Sequence, residues 1–398
     1  MTDPPLYRRR EAIGVGVGAV AATALGAAFW DEVFGGSESS APAPHAPVSG
    51  YGELGAPDEH GIRLPRDFRV RRVALGDEVV PGSEYRWHRA SDGAAAFPTD
   101  DRSWILVSNS EELRGGARAM RFGPDGEIQA AYRILEGTTN NCAGGPTPWG
   151  TWLSCEEYGE GRVWECDPAG KKKARVHDAM GVFKHEAAAV DPRGRRVYLT
   201  EDIIDGAFYR FTPRRWPDLS EGTLELAKVG RAGAVDWLRV PDPLARREQT
   251  RRQVPGYTEF ARAEGIWFDS GIVYVATTGD SRIHAYDTTR ERVDVIYDGL
   301  AKAAAPLLRV DNITASPSGE LFVCEDIATE EIDIGVITRK REVSRFLSVT
   351  GPRHVGSELT GVTFDPSGSR LYFSSQRADS NRGAVYEVSG PFTRRPRI

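Results

Sequence analysis

The chain has 398 residues, with Lys+Arg 51 against Asp+Glu 57 and a formal net charge of -6. That length holds one large or two ordinary domains. The mildly acidic balance argues against nucleic acid as the main partner and suits a protein that gathers carboxylates around hard cations.

At the N-terminus Arg8-Arg9-Arg10 precedes an uncharged run from Gly14 to Trp30, rich in Gly and Ala. The run is short and only mildly apolar for a membrane span, and it resembles a twin-arginine (Tat) export signal more than a Sec signal. A single-span anchor is the alternative. Residues 1–34 are therefore expected to be a signal segment, 35–57 a disordered Pro/Ser/Gly-rich linker, and 58–398 a single domain. Export permits disulfides; of Cys142, Cys155, Cys166 and Cys324, the pair Cys155 and Cys166 flanks a predicted hairpin turn and is a candidate to bridge.

Along the rest of the chain a turn is followed by a short β-rich run that ends in polar or acidic residues. The runs are Trp104–Ser108, Thr151–Cys155, Val197–Thr200, Ile272–Ala276, Leu321–Cys324 and Leu371–Ser375. Most recur at roughly 45 to 50 residues, the size of one four-stranded propeller blade. The expected fold is all-β, a six-bladed β-propeller with a metal site on its central axis; seven blades or two β-domains are alternatives. A longer interval is read as an insertion around residues 214–258, lying over one face as a lid, and Leu244 to Gln253 is its best helix candidate. If the six runs lie nearest the axis, their ends converge on one mouth of the central channel. Such a ring of carboxylates is repulsive without cations.

The stretch Thr138 to Glu157, TTNNCAGGPTPWGTWLSCEE, is the most unusual. Asn140 to Gly145 reads as too polar and too flexible for a strand, and Trp149 to Ser154 as a short strand closed by Glu156-Glu157. These two alternate on a strand end, so one of them faces the axis. Cys142 sits where no apolar residue is needed, and a thiolate prefers a softer ion than Ca²⁺. Ligand preference alone therefore suggests a mixed site, with a transition metal at Cys142 and Ca²⁺ at the carboxylates. Glu186 follows His185 ahead of an Ala run, and Arg262 is two residues from Glu264 on one extended face, where a guanidinium suits phosphate. Asp311-Asn312 and Glu358 also place oxygens ahead of strands. No P-loop, nucleophile elbow or Rossmann fingerprint is present, so hydrolysis here has to be metal-driven.

These residues resemble the PhoX family of exported alkaline phosphatases, over nearly the whole of the chain beyond its leader and most specifically in NNCAGGPTPWGTWLSCEE. The resemblance implies a compact propeller carrying iron (Fe³⁺) and calcium (Ca²⁺) that hydrolyses phosphate monoesters. It makes Cys142 the iron-ligating thiolate and favours Glu157 over Glu156 as a ligand. Asn109 and Glu111 match an Asn-His-Glu element in which Ser110 replaces the His, and Asn109 would also touch substrate. Glu201 is the likelier ligand of Glu201-Asp202. In the Arg-x-Glu element, Arg262 would hold phosphate and Glu264 would bind metal, both serving catalysis. Glu186, Asp311, Asn312 and Glu358 complete the expected metal set. The implied partners are a small phosphorylated substrate and the Tat machinery, for a monomer outside the cytoplasm without a stable membrane span. A calcium-dependent lactonase-like propeller, or a metal-plugged propeller that only binds, are the competing readings.

Overall fold

The structure is a computed structural model that describes residues 50–301, 305–327 and 329–392. The signal segment 1–34 and residues 35–49 of the expected linker lie outside the described residues.

Each of the six apolar runs is a strand: Trp104–Ser110, Trp152–Glu156, Arg196–Glu201, Ile272–Thr277, Leu321–Glu325 and Arg370–Ser375. Each stands second in its own antiparallel sheet, and among the described residues the sheets number six. The strands nearest the axis are the preceding ones, Ser91–Pro98, Asn141–Pro146, His185–Asp191, Ala263–Asp269, Val310–Ala315 and Leu359–Phe364, which define blades one to six. Each innermost strand touches the next, and the sixth touches the first, closing a ring. This corrects the expectation that the apolar runs line the axis. It also corrects the reading of Asn140 to Gly145 as non-strand, because Asn141–Pro146 pairs with Trp152–Glu156.

The physical reason is crowding. Six strands converging on one axis leave room only for small side chains. A Cβ on Gly93 would stand 2.4 Å from the Cα of Ala143, and one on Gly145 would stand 1.8 Å from the carbonyl oxygen of Ala188. The innermost strands of blades one to three are therefore rich in Gly and Ala. The second strands are packed on both faces and carry the continuous apolar runs.

Two segments from the N-terminal side complete the last blades. Arg69–Leu75 pairs with Ala384–Ser389, and Ile62–Arg63 pairs with Val343–Thr350. Buried Glu387 ties the first seam together, accepting from Arg71, Arg370 and the Tyr372 hydroxyl. Residues 50–57, expected in the linker, are placed on the propeller: Leu54 bridges Pro65, and Tyr51 packs edge-on against Phe68 and Phe346.

Much of the expected insertion is sheet. Asp218–Val229 and Val235–Arg239 are the fourth and fifth strands of blade three. The remaining strap, from 240 to 262, runs on the mouth side. Pro243 accepts from the Val182 N–H at 2.8 Å, and the Thr250 hydroxyl donates to the Val182 carbonyl at 2.7 Å. The expected Leu244 to Gln253 helix is only a 3₁₀ turn, Thr250–Gln253.

All four cysteines are unpaired and buried. Cys155 packs with Leu199 and Tyr209 of blade three, and Cys166 with Phe97 and Val107 of blade one. They lie on opposite faces of one sheet, so the candidate bridge does not form.

Candidate metal centre

Every innermost strand starts at the same mouth, and every innermost strand carries a register irregularity just after its start. Such a bulge re-aims a side chain. The second residue of each strand is Asp92, Cys142, Glu186, Glu264, Asp311 or Thr360. Two residues earlier stand Ala90, Asn140, Lys184, Arg262, Arg309 and Glu358. Four of these are left-handed, Ala90 (φ 44), Asn140 (φ 45), Arg262 (φ 49) and Arg309 (φ 47). A non-glycine residue there costs about 1–2 kcal/mol. In return each carbonyl accepts the N–H of a residue at the end of the neighbouring second strand: Glu111 to Ala90, Glu157 to Asn140, Thr278 to Arg262, Asp326 to Arg309. Glu358 receives Gln376 in the same way. The repeat thus fixes two layers of side chains, one from strand starts and one from strand ends.

These layers bring one thiol and a group of carboxylates together at the mouth. Single ligand atoms of Cys142, Glu157 and Glu186 lie within 4.8 Å of one another, and so do those of Glu186, Glu264 and Asp311. Glu186 belongs to both trios. The Cys142 thiol donates to Glu186 Oε1 at 3.3 Å, while buried Glu186 Oε2 has no hydrogen-bond partner. Burial and then neighbouring carboxylates push Glu186 and Asp311 well above the ordinary range, and Asp92 up to about 7. Burial likewise raises Glu157 and Glu264, against the pull of Lys184 and Arg262 respectively. Burial, Asp92 and Glu186 raise the Cys142 thiol.

Cations stand at the outer edge of this cluster. Lys184 Nζ bridges Glu157 Oε1 at 2.6 Å and Asp202 Oδ2 at 2.9 Å. Arg262 contacts Asp202 at 2.8 Å, Glu264 at 2.7 Å and Asp326 at 3.3 Å. Arg377 reaches Glu111 at 3.1 Å and Glu358 at 3.5 Å. Burial works to raise Asp202, but Arg262 and Lys184 outweigh it and hold this carboxylate below its usual range.

The sequence-derived candidates separate by position. Cys142, Glu157, Glu186, Glu264 and Asp311 form the two trios, with Arg262 beside them. Glu156 turns away, accepting from Thr139, Arg162 and Trp164. Glu111 and Glu358 lie on Arg377. Asn109 spends its amide on backbone and on buried donors. Asn312 bonds Asp311 and the Gly361 N–H. Glu201 is held by Tyr209 at 2.6 Å and Arg251 at 2.8 Å, outside the trios. Asp92, Lys184, Asp326 and Arg377 are not among the sequence candidates, and Asp202, ranked below Glu201 there, is the one of that pair that meets Lys184 and Arg262. Asp92-Gly93 repeats the acid-then-small pattern of Glu186-Ala187 and Glu264-Gly265, a signal that could have found it.

The donors fit metal ions: the buried thiol, the shared Glu186 with an orphaned oxygen, and carboxylates in excess of the cations beside them are the arrangement that bound cations relieve.

The family model described as Alkaline phosphatase PhoX matches residues 116–167 and 159–305. This span contains Cys142, Glu157, Glu186, Arg262 and Glu264. The chain is PhoX-like. Among solved structures, Pseudomonas fluorescens PhoX in complex with vanadate, a transition state analogue, superposes with a TM-score of 0.71 at 17% identity, covering 88% of this chain and 97% of that one. A gluconolactonase from Xanthomonas campestris gives a TM-score of 0.48 at 15% identity, over 89% and 99% of the two chains. A Bacteroides thetaiotaomicron protein of unknown function gives 0.49 at 11%, over 81% and 76%. No curated protein sequence matches the chain. The PhoX superposition agrees with the six-bladed fold, and the family match overlies blades one to four.

Proposed function

We propose that this chain is an exported, metal-dependent phosphatase acting on phosphate monoesters. The observation that carries the reading is the pair of trios joined at Glu186, one containing a thiol, with the guanidinium of Arg262 beside Glu264 and open in part to the mouth. Cys142, Glu157 and Glu186 would hold iron, the softer thiol setting that choice, and Glu186, Glu264 and Asp311 would hold calcium among oxygens. When bound, such cations supply Lewis-acid polarisation and a lowered pKa for water.

The chain's own residues do the rest. Arg262, with its Nε and Nη2 edge held by Asp202, would offer its remaining Nη1 N–H to a phosphoryl group whose charge spreads over its equatorial oxygens. Asp202 and Asp326 fix the plane of that guanidinium. Asn109 holds the Cys142 strand in place. Export by the Tat route, which carries folded proteins, suits a site that must be metal-loaded first; among the described residues no helix is long and apolar enough to cross a membrane.

The test joins metal analysis to a p-nitrophenyl phosphate assay on protein exported in folded form. Turnover with iron and calcium bound is expected. Protein without either metal would sink the site, and full metal without turnover would leave a binding module.

A further inference from the structure

Lys184 has no part in the reading above, yet it occupies in blade three the position that Arg262 occupies in blade four. Each stands two residues before the acidic second residue of its innermost strand, Glu186 and Glu264. The two cations converge on one carboxylate: Lys184 Nζ lies 2.9 Å from Asp202 Oδ2, and Arg262 Nε lies 2.8 Å from Asp202 Oδ1. Both side chains keep an open face, 34% and 27% exposed. An ammonium has three donors, and Glu157 and Asp202 take two of them.

The strap of blade three supports the lysine's loop. Val182, two residues before Lys184, is held by Pro243 and Thr250, and Arg251 pins the strap through Glu201 and Asp205. A surface lysine is ordinarily costly to order because of its rotamer freedom. Here its backbone is anchored from the strap and its head from two carboxylates, so little freedom is left to lose on binding an anion.

We propose that Lys184 and Arg262 form a two-cation clamp, joined through Asp202, that grips the phosphate group of the substrate. The inference rests on the phosphatase reading. Asp202 takes the Nε and Nη2 edge of the guanidinium and Asp326 one Nη1 donor, so the arginine offers its remaining Nη1 N–H and the ammonium its third donor, and together they contact a tetrahedral dianion from two adjacent blades. The lysine is a substrate-binding residue.

The test compares metal-loaded parent, Lys184→Met and Lys184→Arg. It measures metal content, inorganic phosphate affinity by calorimetry, and KM and kcat on p-nitrophenyl phosphate. Lys184→Met should keep its metals, bind phosphate about tenfold or more weakly, and show the matching rise in KM. Lys184→Arg, which keeps the charge, should recover most of the affinity and keep its metals. Phosphate binding unchanged in Lys184→Met, against a parent that binds, would overturn this inference alone. Metal loss from both variants would also overturn it, making the lysine a structural bridge. A metal-loaded parent that binds no phosphate would overturn the phosphatase reading and this inference together.

Discussion

The side-chain amide of Asn109 donates to two successive carbonyls of the cysteine strand, Cys142 at 3.1 Å and Ala143 at 2.8 Å. Its oxygen accepts from Trp152 and Ser154 of the same blade. One buried side chain in blade one thereby sets the height of the thiol in blade two. Asn109→Leu would leave these buried groups unpaired and is expected to cost about 2–4 kcal/mol of stability. Chemical denaturation of metal-free protein checks this, and metal content should fall as well. A variant as stable as the parent would show that Asn109 does not position the strand.

Cys142→Ser changes a soft donor for a hard one with little change of shape. Iron content and phosphatase activity should fall together while calcium stays, as elemental analysis of purified protein would reveal. Full activity in the serine variant would remove the thiol from the proposed centre.

Arg262→Ala should lower kcat/KM by about a hundredfold, as for loss of one charge-stabilising group, with metal content kept. Unchanged kinetics would refute its role toward phosphate.

Stripping metal should make the protein sensitive to alkali. Unfolded carboxylates titrate near pH 4. Asp92 is pushed up to about 7 in the folded, metal-free protein, and Glu186, Glu264, Asp311 and Glu358 are raised as well. The folded state therefore holds more protons than the unfolded one, so its stability falls as pH rises. The loss runs from about pH 4 through 7 and beyond. Chelated protein should melt lower at pH 8 than at pH 5, and adding metal should shrink the difference. Equal melting of chelated protein at both pH values would contradict the crowding of charge at the mouth.

Arg251→Ala is predicted to act at a distance from the centre. It leaves Glu201, pushed up to about 7 by burial, with only Tyr209 for company. Breaking a buried pair costs about 3–5 kcal/mol when the remaining charge is ionised. The loss should shrink as pH falls through about 7, where Glu201 takes up a proton, and urea titrations at pH 6 and 8 would show this. Glu201→Gln should leave iron and calcium content unchanged; a loss of metal would return Glu201 to the ligand set.

The repeat was legible because its second strands are apolar on both faces and end at the mouth, as in Leu321-Phe322-Val323-Cys324-Glu325. The axial strands of blades one to three are not, because closeness to the axis there selects Gly and Ala and erases the apolar signature of a strand. Asn141–Pro146 reads as a loop for that reason, and Asp92 does not stand out in Ser91-Asp92-Gly93. Glu201 and Asp202 are neighbours in sequence, and only the arrival of Arg251 and Arg262 from distant segments separates their fates. A lone residue type cannot announce a partner fifty or sixty residues away.

The seam that closes the ring has a consequence for assembly. Gln376 donates to Asp92 and to Glu111, so groups near opposite ends of the chain meet in the same mouth. The blade that carries Gln376 is itself finished by Arg69–Leu75 from the N-terminal side. No partial length of chain can present the complete set of groups around the axis. A nascent polypeptide still lacking Ala384–Ser389 leaves Arg69–Leu75 without its partner strand. The mouth is thus completed only after Ala384–Ser389 has been made and has paired with Arg69–Leu75.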